Sequence, residues 1–169
     1  MKFNLKNIII FIVFMLLQIL WFNHINLFGR FTPVIYLYPF LILPVSKDES
    51  FNLIIGFFFG LIIDIFTQTG GVFAATTVLL IYLKKFYFLI NKSPSQDVEE
   101  MKISKLSFVQ KIVYFGIFIF LGLFFIYLLE AFNFKLVISK LGYIFISTLI
   151  SLFFYIFIDT LLTGRQATS

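Results

Sequence analysis

Cysteine is absent from the 169-residue chain, which excludes disulfides, thiolate nucleophiles and thiolate-held metals. Charge is scarce too. Asp, Glu, Lys and Arg make up 12% of the residues, against roughly 25% in an ordinary soluble domain. There is one histidine, His24, and a single imidazole without a neighbouring carboxylate or second histidine makes a poor metal ligand or base. Nucleophile–base pairs, paired catalytic carboxylates and a phosphate-binding glycine loop are all missing. Neither enzymatic chemistry nor a cofactor is therefore expected.

What the chain does contain is apolar: 61% hydrophobic residues, 27 of them Phe, and a mean hydropathy of +1.05. The apolar residues come in continuous blocks rather than alternating, so a lipid solvent and helical spans are expected. Lipid-facing bulk is the expected use of the phenylalanines. The fold class is an all-α integral membrane protein, a six-transmembrane-helix bundle forming one domain over 1–169. Helices are expected at 8–28, 32–45, 51–66, 72–90, 112–129 and 141–162, with a polar loop at 91–111. The first is read as uncleaved, since no small-residue cleavage site follows Trp21 and Phe22.

The second span is the irregular one. It carries Pro33, Pro39 and Pro44, and fourteen residues at 1.5 Å each reach only ~21 Å of a ~30 Å hydrocarbon core. It is read as kinked, tilted into a thinned bilayer, or partly re-entrant. Counting six spans puts Lys2, Lys6, Lys47, Lys84, Lys85, Lys92, Lys102, Lys105, Lys111 and Arg165 on one side, with Arg30, Lys135 and Lys140 on the other. That asymmetry makes both termini cytoplasmic and assigns the net charge of +5 to membrane topology rather than to nucleic acid. Lys84 and Lys85 are expected to snorkel to the interface.

Asn52, Gly56, Gly60 and Asp64 recur every four residues, one stripe of small and polar groups on a helix. After the turn Thr67-Gln68-Thr69-Gly70-Gly71, Ala74, Ala75, Thr76 and Thr77 are small enough to receive that stripe. The expected product is a helical hairpin with one charge inside it. Asp64 is either an ion, proton, ligand or partner site, or a helix-end carboxylate bonded to Thr67, Thr69 or the next helix. A second stripe, Tyr143, Ser147, Ser151, Tyr155 and Asp159, runs along the last span. Asp159 and Glu130 read as helix-end charges, and Gln18 as an interhelical hydrogen-bonding group. Asp64 and Asp159 lie at opposite depths and are not expected to pair. No polar steps between them are evident, which weighs against a proton- or ion-coupled channel.

From Pro33 to Leu83 the chain resembles the bacterial rod shape-determining protein family MreD. The likeness lies in Pro33-Val34-Ile35-Tyr36, in Leu43-Pro44, in Gly56-x-x-x-Gly60-x-x-x-Asp64, and in Asp64-Ile65-Phe66-Thr67-Gln68-Thr69-Gly70-Gly71 followed by Ala74-Ala75. These look like the variant found in Bacteroidetes-type bacteria, although Val72 and Phe73 stand where family members often have His or Ala. The resemblance covers about a third of the chain. It implies a non-enzymatic inner-membrane subunit of the cell-elongation machinery that helps organise peptidoglycan synthesis. Such a subunit works beside MreC, MreB filaments, the RodA glycosyltransferase and a penicillin-binding transpeptidase, with homodimerisation left open. It also implies a bundle resembling the substrate-binding subunits of energy-coupling-factor transporters, so the alternative function is a small-molecule-binding membrane subunit of a transporter. Pro33, Tyr36, Asn52, Gly56, Gly60, Asp64, Gly70, Gly71 and Ala75 are the candidates for helix packing or partner contact. Ser147, Ser151, Tyr155 and Asp159 form the second polar stripe.

Overall fold

Four helices are long and apolar enough to cross a membrane, and they mark the chain as a membrane protein: Ser50–Thr67, Val72–Ile90, Phe108–Ala131 and Leu141–Leu162. They belong to a computed structural model that describes residues 5–22, 32–43, 50–90, 103 and 106–164. His24, Arg30, Pro44, the turn at 46–49, the helix start at 93–96 and Arg165 fall outside the described residues. In chain order the helices are α1 (Leu5–Leu17), α2 (Tyr38–Ile42), α3 (Ser50–Thr67), α4 (Val72–Ile90), α5 (Phe108–Ala131), α6 (Phe134–Ser139) and α7 (Leu141–Gly164). No strand occurs among the described residues. Helix α3 packs along α4, α4 against α5, and α5 against α7.

The region expected as a second span is mostly not a helix. Thr32 to Ile35 runs as irregular backbone, Tyr36 and Leu37 turn, and only Tyr38–Ile42 is helical. Proline explains the start: Pro33 has no amide hydrogen and disfavours helical geometry at the residue before it. Pro39 then sits in the first turn of α2, where its missing donor costs nothing. Along this leg Pro33 to Leu41 are all buried, with Ile35 and Tyr36 fully inaccessible, and only Thr32 and Ile42 are half-buried.

Non-helical backbone at membrane depth must find partners in the protein, and this leg finds them in side chains of four other elements. Gln18 accepts from the amides of Ile35 at 2.7 Å and Tyr36 at 3.2 Å, and donates to the Pro33 carbonyl at 3.3 Å. Ser151 on α7 accepts from the Val34 amide at 2.9 Å. The Tyr114 hydroxyl on α5 donates to the Leu41 carbonyl at 3.0 Å. Lys84 on α4 donates to the carbonyls of Phe40, at 2.8 Å, and Leu43. The leg is thus the axis around which the bundle closes.

Two sequence expectations change on this account. Lys84 does not snorkel: it is 4% exposed and its ammonium completes the end of α2 inside the protein. Only Lys85 remains available for the interface role. The first helix does not continue in α-form either. Gln18–Phe22 is a π-helical turn, a local widening of the kind often found at functional positions, and it carries the buried Gln18 that the leg requires. Replacing Gln18 by Leu would leave the Ile35 and Tyr36 amides without this acceptor. At about 1–3 kcal/mol for each buried unsatisfied group, the variant should melt well below the parent in detergent, whereas Gln18→Glu, which keeps the acceptor, should lose less. Equal melting of the Leu variant and the parent would refute this account of the leg.

Phenylalanine serves both sides of the bundle. Phe51, Phe57, Phe58, Phe66, Phe153 and Phe157 face outward. Phe11, Phe40 and Phe59, however, meet edge to face at 4.7–5.5 Å and join α1, α2 and α3 in the core. Helix α5 begins at Phe108, four residues before the expected Ile112, because Ser107 and Gln110 form a reciprocal cap at its N-terminus. Helix α6 was not expected from the sequence. Asn133 caps it through the Lys135 amide at 3.0 Å, after α5 ends in the left-handed Phe132.

Candidate functional site

The hairpin α3–α4 brings the first polar stripe to a single point. Gly60 lies so close to α4 that a Cβ there would stand 2.5 Å from the Ala74 Cα and 2.7 Å from the Phe73 carbonyl oxygen. One turn further, Asp64 reaches across to the N-terminus of α4. Its carboxylate accepts from the Phe73 amide at 3.0 Å, the Ala74 amide at 2.8 Å and the Thr69 hydroxyl at 2.5 Å. It is 3% exposed. The first amides of a helix have no partner inside that helix, and its positive dipole end attracts an anion. Asp64 therefore caps α4 from the neighbouring helix.

The turn between the two helices is shaped for this contact. Gln68, Gly70 and Gly71 all have positive φ, and at Gly71 φ reaches +102°, where a side chain would be strained. Thr67 donates to the Ile63 carbonyl at 2.8 Å and shares a 2.8 Å hydrogen bond with Thr69. Of the residues expected to receive the stripe, Ala74 meets Gly60 and Thr77 meets Gly56, where Ile81, outside that expectation, comes closer still. Ala75 points away, exposed. Asn52 and Pro33 are buried, and the Tyr36 ring stacks edge-on to Phe73 at 5.3 Å, beside Thr77 and Asp64.

The second stripe faces the leg. Ser147, Ser151 and Tyr155 are completely buried, and Tyr155 packs against the Tyr38 ring at 5.3 Å. At the opposite end of the bundle from Asp64, Asp159 pairs with Lys111 at 2.7 Å and receives the Tyr38 hydroxyl at 3.4 Å. The two aspartates have no partner in common. Asp159 is more than a helix-end charge, because it ties α7 to α5 and to the leg. The hydroxyls of Tyr36, Thr76, Ser147 and Tyr155 are buried without a hydrogen bond of good geometry, a polar grain in the core around the leg.

Near the Asp64 end the bundle opens into a cavity of about 570 Å³. Its polar lining comes from Gln18, Thr32, Thr67, Thr69, Tyr127 and Glu130. A second hollow of about 420 Å³ lies on the other side of Thr69 and Glu130, under the Gly70–Gly71 turn. Sequence spacing did not reveal this place, since its walls come from five separate segments. Glu130, the one carboxylate among the described residues that line either hollow, was read from the sequence only as a helix-end charge. Among the described residues no three His, Cys, Asp or Glu side chains gather as they would for a metal ion. No protein-family model, curated protein or solved structure matches the chain.

Proposed function

We propose that the chain is a non-enzymatic scaffold subunit of the bacterial cell-elongation machinery, of the MreD kind, working with MreC and through it with MreB, RodA and a penicillin-binding transpeptidase. In this reading it spans the inner membrane six times with both termini cytoplasmic. The observation that carries it is where the residues of the resemblance lie. Pro33, Tyr36, Gly56, Gly60, Asp64, Gly70 and Gly71 build one lock: the leg, the α3–α4 approach and the cap on α4. The motif is thus a folding device. A rigid interior of this kind suits a subunit whose task is to present fixed outer faces to neighbouring membrane proteins, with the lipid-facing sides of α1, α3 and α7 left for that purpose.

The cavity beside Asp64 favours the second reading, a small-molecule-binding subunit of a transporter, since its volume falls within the ~300–1,000 Å³ usual for ligand sites. Affinity purification from the native membrane in mild detergent, with mass spectrometry of the retained partners, separates the two. MreC with elongation enzymes is the expected result. An ATPase pair with a membrane coupling subunit would replace the scaffold reading with the transporter.

A further inference from the structure

The hollows on either side of Thr69 share one charged wall. Glu130, exposed at the C-terminal end of α5, lines both, and among the described residues that line them none is cationic. A second carboxylate, Asp64, lies directly behind Thr69, whose hydroxyl it holds at 2.5 Å. The larger cavity carries aromatic rings as well, those of Phe66, Phe73 and Tyr127, with an apolar floor that includes Leu123 and Ile126. Ring faces and a carboxylate together are the chemistry that recognises ammonium groups. The protein supplies its own example: the Lys140 ammonium rests 5.3 Å from the centre of the Tyr127 ring, within the field of Glu130.

We propose that this cavity binds a small amphipathic organic cation, its ammonium held between Glu130 and Tyr127 and its apolar body against Phe66, Phe73 and Leu123. Lys140 is the resident counter-ion at the rim and competes with the ligand for the same two groups. The proposal does not depend on the scaffold reading, because it follows from the cavity alone. Lipid acyl chains would fill the apolar floor equally well, but they have no use for the carboxylate. An anionic headgroup would be repelled by it.

The competing lysine gives the test two opposite signs. The purified chain, reconstituted in nanodiscs, is titrated with benzyltrimethylammonium by calorimetry, and its uncharged carbon isostere neopentylbenzene serves as control. Saturable binding is expected for the cation. Glu130→Gln should weaken it about tenfold or more, and Lys140→Ala should strengthen it several-fold, with both variants melting like the parent when no ligand is present. Both positions lie at exposed helix ends, so neither change threatens the fold. Absence of saturable binding, equal affinity in Glu130→Gln, or equally effective binding of neopentylbenzene would each overturn the proposal. The last would leave a cavity for lipid or detergent only.

Discussion

Replacing Gly60 by Leu should destroy the α3–α4 hairpin and cost more than about 4 kcal/mol, the range reached only by severe core lesions. The clash is with backbone. A Cβ at residue 60 would lie 2.5–2.7 Å from atoms of Phe73 and Ala74, whereas carbon atoms rest at about 3.5–4.0 Å. No rotamer change relieves this, so the helices must separate by about 1 Å. That movement also pulls Asp64 off amides it holds at 2.8 and 3.0 Å, adding the cost of an open helix terminus to that of overpacking. Alanine scanning of glycines gives the internal control. Gly60→Ala meets the same backbone atoms, Gly56→Ala meets chiefly the movable tip of Ile81, and Gly116→Ala meets nothing within 4 Å. Melting temperatures in detergent should fall in the order Gly116→Ala, Gly56→Ala, Gly60→Ala, Gly60→Leu. A Leu variant that melts with the parent would show that the hairpin is not packed as described.

The second large effect belongs to Asp64. Alanine there removes the acceptor for the Phe73 amide, the Ala74 amide and the Thr69 hydroxyl in one step. With about 1–3 kcal/mol for each buried group left unsatisfied, the expected loss is about 3–5 kcal/mol, for Thr69 has Thr67 as a second partner. Asn fits the same space but offers one acceptor oxygen in place of two, so it should lose roughly half as much. Hydrogen exchange can localise the damage: the amides of Phe73 and Ala74 should lose protection first, ahead of the rest of α4. If those amides keep their protection in Asp64→Ala, the carboxylate is not the cap and its burial needs another explanation.

The Gly56/Gly60/Asp64 hairpin was legible because its signal is local. Spacing of four names a helix face, and small residues after a short polar turn name the surface that face meets. Even the acceptor role of Asp64 toward Thr69 could be anticipated from five residues of separation. The leg was not legible, because what makes it possible is remote. Ser151 bonds to an amide 117 positions earlier, Tyr114 to a carbonyl 73 earlier and Lys84 to one 44 earlier. A sequence window sees prolines in an apolar stretch and reads a short span. Lys84 misled for the same reason: a lysine late in an apolar helix normally reaches for water, and nothing near it shows that two carbonyls lie within its grasp inside the bundle. The cavity beside Glu130 is likewise assembled from segments too far apart for spacing to reveal.

The leg's dependence on distant partners also sets an order of events at the ribosome. Its residues leave the exit tunnel well before α5 and α7 exist, and Ser151 is among the last of its partners to be made. Until α7 enters the bilayer, the Val34 amide has only water, lipid carbonyls or the insertion machinery to bond with. A nascent chain that stops short of α7 therefore carries an unfinished centre, not a smaller finished protein. Membrane proteases and chaperones that sense exposed polar backbone would find such a chain open at the Val34 amide.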